Sequence, residues 1–198
     1  MKLFEKNSEF YNIEGQIRKL PYAAEFCCQN FNGDLVEIGC LRGSMTLLYA
    51  KVAKKYNRKV WAIDPWYEDN KKYDKNLQGF YDEFLEKIKD YKDYVEIIKA
   101  SSLDEDTIKK IKNIDICFAS VDGLHTKDAC YSDIMSVSHC SGVIAVDDVI
   151  DSRGEINWQQ KMRDAIGEAM IELKDYSVVW PTEENKIEKN AYIYKNEI

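Results

Sequence analysis

The sequence predicts an α/β fold: a doubly wound, seven-stranded, mostly parallel sheet with a C-terminal antiparallel strand pair. Three observations predict it. Short apolar runs alternate with longer stretches whose apolar residues recur at helical spacing, the pattern of βαβ units with right-handed crossovers. The last two runs are joined without a helical stretch, so they pair antiparallel at one edge. The 198 residues suffice for one core covered on both faces.

The elements follow in order. Residues 1–33 leave room for one or two helices packed on the core, and 34–198 form the main domain, a single domain overall. "DLVEIG" (34–39) is a buried strand. "SMTLLYAKVAKKYN" (44–57) is a helix with a basic last turn, which suits the helix dipole. "KVWAID" (59–64) is the second strand, stopped by Pro65. The polar, aromatic-dotted segment 65–78 reads as a long loop of the functional kind. A helix spans 79–91, and "YVEIIKA" (94–100) is the third strand. Ser102, followed three residues later by Glu105, forms a capping box that starts the next helix. "DICFASV" (115–121) is the fourth strand, 126–139 a helix, and "GVIAVD" (142–147) the fifth strand. A long amphipathic helix covers 155–174; "YSVVW" (176–180) and "AYIYK" (191–195) are the last two strands.

The bulk numbers exclude some functions. A net charge of -7 argues against nucleic-acid binding as the main task, because such proteins carry a basic face. No run approaches the ~20 apolar residues of a membrane helix, and the N-terminus lacks the apolar stretch of a signal peptide. The expectation is therefore a cytoplasmic protein with no membrane partner. The six cysteines lack metal-ligand spacing and read as small buried hydrophobes in a reducing compartment.

In such a sheet, ligands bind beyond the carboxyl ends of the strands, near the point where strand order reverses. That rim gathers Glu37, Asp64, Ser101, Asp122, Asp147 and Asp148. Gly39 and Gly43 flank the first strand-to-helix turn, where glycine lets the backbone approach a ligand. The spacing is not GxGxxG and no GKS or GKT follows, so the pyrophosphate fingerprint and the P-loop are both absent. Glu37, just before the glycines, suits a ligand with a positive group. Asp64 stands where an acid accepts the hydroxyls of a ribose.

Together, Glu37, Gly39, Gly43 and Asp64 resemble class I S-adenosylmethionine-dependent methyltransferases, whose domain is Rossmann-like. The resemblance runs from about Asp34 onward. It implies that the cofactor S-adenosylmethionine lies against Glu37, Gly39, Gly43, Ser44, Asp64, Ser101, Ser102 and Asp122. A helix cap explains Ser102 equally well. "VDGLH", a helix, then "GVIAVDD" resembles the metal-dependent O-methyltransferase branch. That implies Asp122, Asp147 and Asp148 as ligands of a divalent cation, usually Mg2+. Crowded carboxylates repel one another and raise their own pKa values, and a hard cation removes that cost. A purely structural reading makes Asp122 and Asp148 caps of the segments that follow them.

The resemblance makes Asp122 and His125 the catalytic pair. His125 is a general base, a residue that binds the cofactor or orients the metal ligands, or a purely structural histidine. Catechol-type relatives carry lysine there, whereas the histidine form resembles the sugar-modifying branch. His139 gets no catalytic role, and Asp133 reads as structural. Trp66, Tyr67, Asp151, Arg153 and Trp158 are candidates for the acceptor pocket. "HCSGVI" departs from the branch's Pro-Gly-Gly turn before the fifth strand. The expected activity is Mg2+-dependent O-methylation of a small hydroxylated acceptor, with a sugar of a glycan or natural product as one candidate. The alternatives are a catechol-like or other aromatic acceptor, or a non-catalytic nucleoside-binding module. The short N-terminal segment leaves room for no large lid, so a homodimer that completes the acceptor site is a further expectation.

Overall fold

The computed structural model describes residues 19–66, 77–150, 157–181 and 189–196. In chain order its elements are α1 (Lys19–Asn30), β1 (Asp34–Ile38), α2 (Ser44–Tyr56), β2 (Val60–Ile63), α3 (Leu77–Ile88), a 3-10 turn (Lys89–Tyr94), β3 (Val95–Ile98), α4 (Glu105–Ile111), β4 (Ile116–Val121), α5 (Lys127–Ser136), β5 (Val143–Val146), α6 (Asn157–Glu172), β6 (Tyr176–Val179) and β7 (Ala191–Lys195). The seven strands form one sheet in the order β3-β2-β1-β4-β5-β7-β6. The first five run parallel to their neighbours. β7 runs antiparallel to both β5 and β6. The predicted fold class is thus the observed one, with β7 inserted between β5 and the edge strand β6.

Period-two alternation divides the sheet's side chains between two cores. Leu35, Ala62, Phe118 and Ala145 face one side, with Ala23 and Cys27 of α1, Tyr49 of α2 and Phe84 of α3. Val36, Ile63, Ala119 and Ile144 face the other, with Ile111 of α4, Ile134 of α5 and Ile166 of α6. Each fully buried side chain of this size stabilises the fold by roughly 1.5–3 kcal/mol relative to exposure. All six cysteines are buried and free, as composition suggested.

Three local expectations need correction. The Ser102 capping box does not form: α4 starts at Glu105 with Asp104 as its N-cap residue. Ser101 instead closes a tight turn, its Oγ accepting from Leu103 N at 3.2 Å. The helix predicted over 126–139 ends at Ser136, and His139 lies beyond it with a ring nitrogen 2.9 Å from the Ile114 carbonyl oxygen. Trp66 is a core residue, 4% exposed, against Tyr81 and Phe84. Among the described residues no helix is long and apolar enough to cross a membrane.

Strand order reverses between β1 and β4. The carboxyl ends of β1, β2, β4 and β5 therefore open on one crevice at the switch point.

Candidate active site

The glycine turn after β1 is built around Asp64, at the end of β2. Asp64 Oδ2 accepts from the backbone N–H groups of Cys40 at 3.0 Å and Leu41 at 2.9 Å. Its Oδ1 accepts from Trp66 N at 2.8 Å. An ionised carboxylate offers about four acceptor sites, so roughly one remains. Trp66 ties the turn down again by donating Nε1–H to the Leu41 carbonyl at 2.7 Å. Leu41 and Trp66 both hold positive φ, 46° and 39°, a strained conformation for bulky residues that these bonds maintain.

Gly39 has φ 88°, and a Cβ there would stand 1.9 Å from the Asp122 carbonyl oxygen. The glycine is required because the ends of β1 and β4 approach that closely. Gly43 has φ 73° and its missing Cβ would meet Phe84 of α3 at 2.7 Å. Ser44, the first residue of α2, receives a 2.9 Å bond from Lys87 on its Oγ. Glu37 lies beneath the turn, 3% exposed, its Oε2 accepting from Thr46 Oγ1. Burial pushes its pKa up to about 8, with Thr46 opposing and the charges of Asp122 and Asp64 adding to the rise.

Across the crevice, the ends of β4 and β5 bring Asp122, His125 and Asp148 together. One ligand atom from each lies within 4.8 Å of the others. His125 Nε2 stands 3.3 Å from an oxygen of Asp122 and 3.3 Å from one of Asp148. Thr126 caps α5 by accepting from Ala129 N, which fixes the turn that carries His125. Asp148 adopts φ 54°, tolerable for Asp, and this turns it back toward β4. Close approach to Asp122 and then Asp148 pushes the His125 pKa up to about 10. Desolvation by its surroundings raises Asp122 although its side chain is 41% exposed, with His125 opposing. Imidazolium, with the Lys189 ammonium 3.9 Å from Asp148 Oδ1, supplies the positive charge that balances these acids.

Asp147 is not one of the three, although the structure keeps it close. Burial and the charge of Asp122 push its pKa up to about 7. Of the pocket candidates, Trp158 stands on α6 with its ring stacked on His125, centroids 5.0 Å apart and planes 4° from parallel. Trp158 and Leu124 are both exposed beside the acids. Tyr67, Asp151 and Arg153 lie outside the described residues. Sequence reading passed over the local role of Asp133. It is buried on α5, and neither carboxylate oxygen makes a well-formed hydrogen bond among the described residues, although Ser102 lies close enough to oppose the rise in its pKa. An acid on the inner face of a predicted helix was the available signal.

A glycine turn, an acid at each neighbouring strand end and a switch-point crevice define a known family. Residues 36–149 match the family model described as Methyltransferase domain (Methyltransf_24). The chain belongs to this methyltransferase family. The match spans both the glycine turn and the Asp122–Asp148 segment. No curated protein matches this methyltransferase-family chain in sequence.

Solved structures share its fold. The S-adenosylhomocysteine-bound Podospora anserina methyltransferase PaMTH1 is 17% identical, with TM-score 0.59, covering 91% of this chain and 80% of that one. CalS11, a TDP-rhamnose 3'-O-methyltransferase of calicheamicin biosynthesis, is 12% identical with TM-score 0.64, covering 88% of this chain and 76% of its own. TomG from Streptomyces achromogenes, an O-methyltransferase of tomaymycin synthesis in complex with S-adenosylmethionine, is 12% identical with TM-score 0.61, covering 90% and 78%.

Proposed function

We propose that this methyltransferase transfers the methyl group of S-adenosylmethionine to a hydroxyl of a small acceptor, with a divalent cation held by Asp122, Asp148 and His125. One observation carries the reading: three ligand atoms from two strand ends gather within 4.8 Å, directly across from the glycine turn. The donor set fits a small divalent cation. Two carboxylates satisfy a hard ion, and an imidazole extends the choice from Mg2+ to Mn2+. His125, wedged between the acids, already stands in for a positive charge there.

When bound, the cation would neutralise the crowded acids and lower the pKa of an acceptor hydroxyl. The chain's own residues do the rest. The turn held by Asp64 presents a backbone surface, and the spare acceptor site on that carboxylate suits one ribose hydroxyl. Glu37, Ser44, Ser101 and Ser102 stand around this rim, so the nucleoside reading gives them positions but not equal roles. As a ligand, His125 Nε2, the atom that faces both acids, must be deprotonated, so it holds the cation and not the acceptor's proton. Trp158 offers an exposed indole face on which a sugar ring lies flat. The main work is positioning: holding hydroxyl and methyl donor in line removes much of the barrier.

Two neighbours carry support of a weaker kind, since CalS11 is named for a sugar acceptor and TomG for O-methylation. The exposed apolar surface of Trp158 and Leu124 also suits an aromatic hydroxyl, which is the second reading. Calorimetry with S-adenosylmethionine, followed by methyl transfer to sugar and catechol panels with Mg2+ or Mn2+, tests both. Tight cofactor binding and turnover lost in EDTA are expected, with Asp122→Asn folded but inactive. Undiminished turnover in EDTA overturns the cation; cofactor binding with no hydroxyl ever methylated leaves a nucleoside-binding module.

A further inference from the structure

A cavity of about 10 Å3, close to the space one water needs, lies behind the acidic cluster. Its walls include Asp122, His125, Cys130, Asp133, Asp147 and Met162. Asp133 is 1% exposed, and neither carboxylate oxygen makes a well-formed hydrogen bond among the described residues, although the Ser102 side chain lies close enough to ease its charge. Its Oδ2 lies 2.9 Å from where a Cβ on Gly123 would stand, so the carboxylate presses on the turn that carries Asp122. The backbone carbonyl of Asp133 is spent inside the local turn, on Val137 N and Ser136 Oγ, but the side chain has no such use.

A buried carboxylate whose nearest donor, Ser102, makes no well-formed bond is expensive, and native proteins resolve such groups with ordered water or nearby positive charge. Both are at hand here. A water in the cavity can donate to Asp133 and reach Asp147 or Asp122 on the other side, and the proposed cation site lies just beyond. We infer that Asp133 is a positioning residue for that site: through one buried water it fixes Asp122 and Asp147 and strengthens the binding of a divalent cation. The inference rests on the proposed reading of Asp122, His125 and Asp148. Groups behind the ligands orient them and add negative field, and their loss typically weakens a metal by about 10–100-fold.

The experiment is Mn2+ binding to the full chain without S-adenosylmethionine, read by the electron paramagnetic resonance signal of free Mn2+. Wild type, Asp133→Asn, Asp122→Asn and the exposed control Asp128→Asn are compared. Asp133→Asn should weaken Mn2+ by at least about tenfold while its metal-free Tm stays level or rises, because a neutral amide is easier to bury. Asp128→Asn should bind as wild type does. If Asp133→Asn binds within twofold of wild type while Asp122→Asn binds nothing, this inference fails and the cation site stands. If wild type binds no Mn2+, the cation reading fails and takes the inference with it. Should Asp133→Asn not fold, a crystal structure of the Mn2+ complex decides: a water bonded to Asp133 and to Asp147 or Asp122 supports the inference, and a dry cavity overturns it.

Discussion

A Cβ on Gly39 would lie 1.9 Å from the carbonyl oxygen of Asp122. The glycine turn and the acidic cluster are therefore packed backbone to backbone, and neither can shift alone. Gly39→Ala must move β1 away from β4 or distort the Asp122 peptide. It combines a left-handed backbone with overpacking, a loss on the order of 3–5 kcal/mol. Urea denaturation should show a large fall in midpoint. Gly167→Ala is the control: it lies within α6 with nothing within 4 Å of its missing Cβ, so it should gain roughly 0.5–1 kcal/mol. Equal midpoints for the two variants would contradict the close approach.

Trp158 and His125 make a parallel stack at the mouth of the site. Removing the indole takes away a flat apolar surface while leaving the glycine turn untouched. Trp158→Ala should raise the acceptor KM about tenfold, the value of a lost stacking contact of roughly 1–1.5 kcal/mol. Affinity for S-adenosylmethionine should stay within about twofold, since α6 does not build the turn. Calorimetry and initial rates separate the two. A fall in cofactor affinity with an unchanged acceptor KM would place Trp158 on the wrong side of the crevice.

The sheet was legible because strand burial is written in short apolar runs, and each predicted strand appears within two residues of its range. The rim followed from topology alone, since acids at strand ends must meet where strand order reverses. What the sequence hid was the direction of individual side chains. Asp147 and Asp148 are adjacent, and strand-end alternation does not say how each sits toward Asp122. Asp148, at φ 54°, joins Asp122 and His125, while Asp147 lines the small cavity beside Asp122. Trp66 looked like a loop aromatic, but its bond to Leu41 pulls it into the core. The cap of α4 was misread because the helix starts at Glu105, two residues later than a Ser102 cap requires, and Asp104 takes the N-cap position with no side-chain cap bond.

Asp64 accepts three backbone N–H groups from its own neighbourhood. Its first duty is to hold the turn, and ligand contact comes second. Asp64→Asn keeps one acceptor oxygen but sets an amide NH2 against donors, whereas Asp64→Ala abandons all three. Hydrogen bonds to a charged group are worth roughly 1.5–3 kcal/mol. Both variants should lower Tm, Ala the more, and both should weaken S-adenosylmethionine. A residue that only touched ribose would lose affinity at unchanged Tm, and that result would refute the structural duty.

The buried acids and His125 set a direction for pH. Burial holds Glu37 near 8 and Asp147 and Asp133 near 7. Ion pairing with Asp122 and Asp148 holds His125 near 10. Every one of these folded-state values lies above the ordinary value of its group, so the folded chain binds more protons than the unfolded one. For the acids, the cost of burying charge is absent below about pH 4 and is reached as pH rises through 7 to 8. For His125, the stabilisation is complete below about pH 6.5 and is lost as pH rises through 10. Metal-free protein should therefore melt at a higher temperature near about pH 6 than near about pH 8.5. A divalent cation competes with those protons, so millimolar Mg2+ or Mn2+ should raise Tm more at the higher pH, where the acids are ionised. Differential scanning fluorimetry across this range, with and without EDTA, gives both curves. A metal-free Tm that climbs from pH 6 to 8.5, or a cation shift that is largest at pH 6, would show that these side chains do not carry the protons assigned to them.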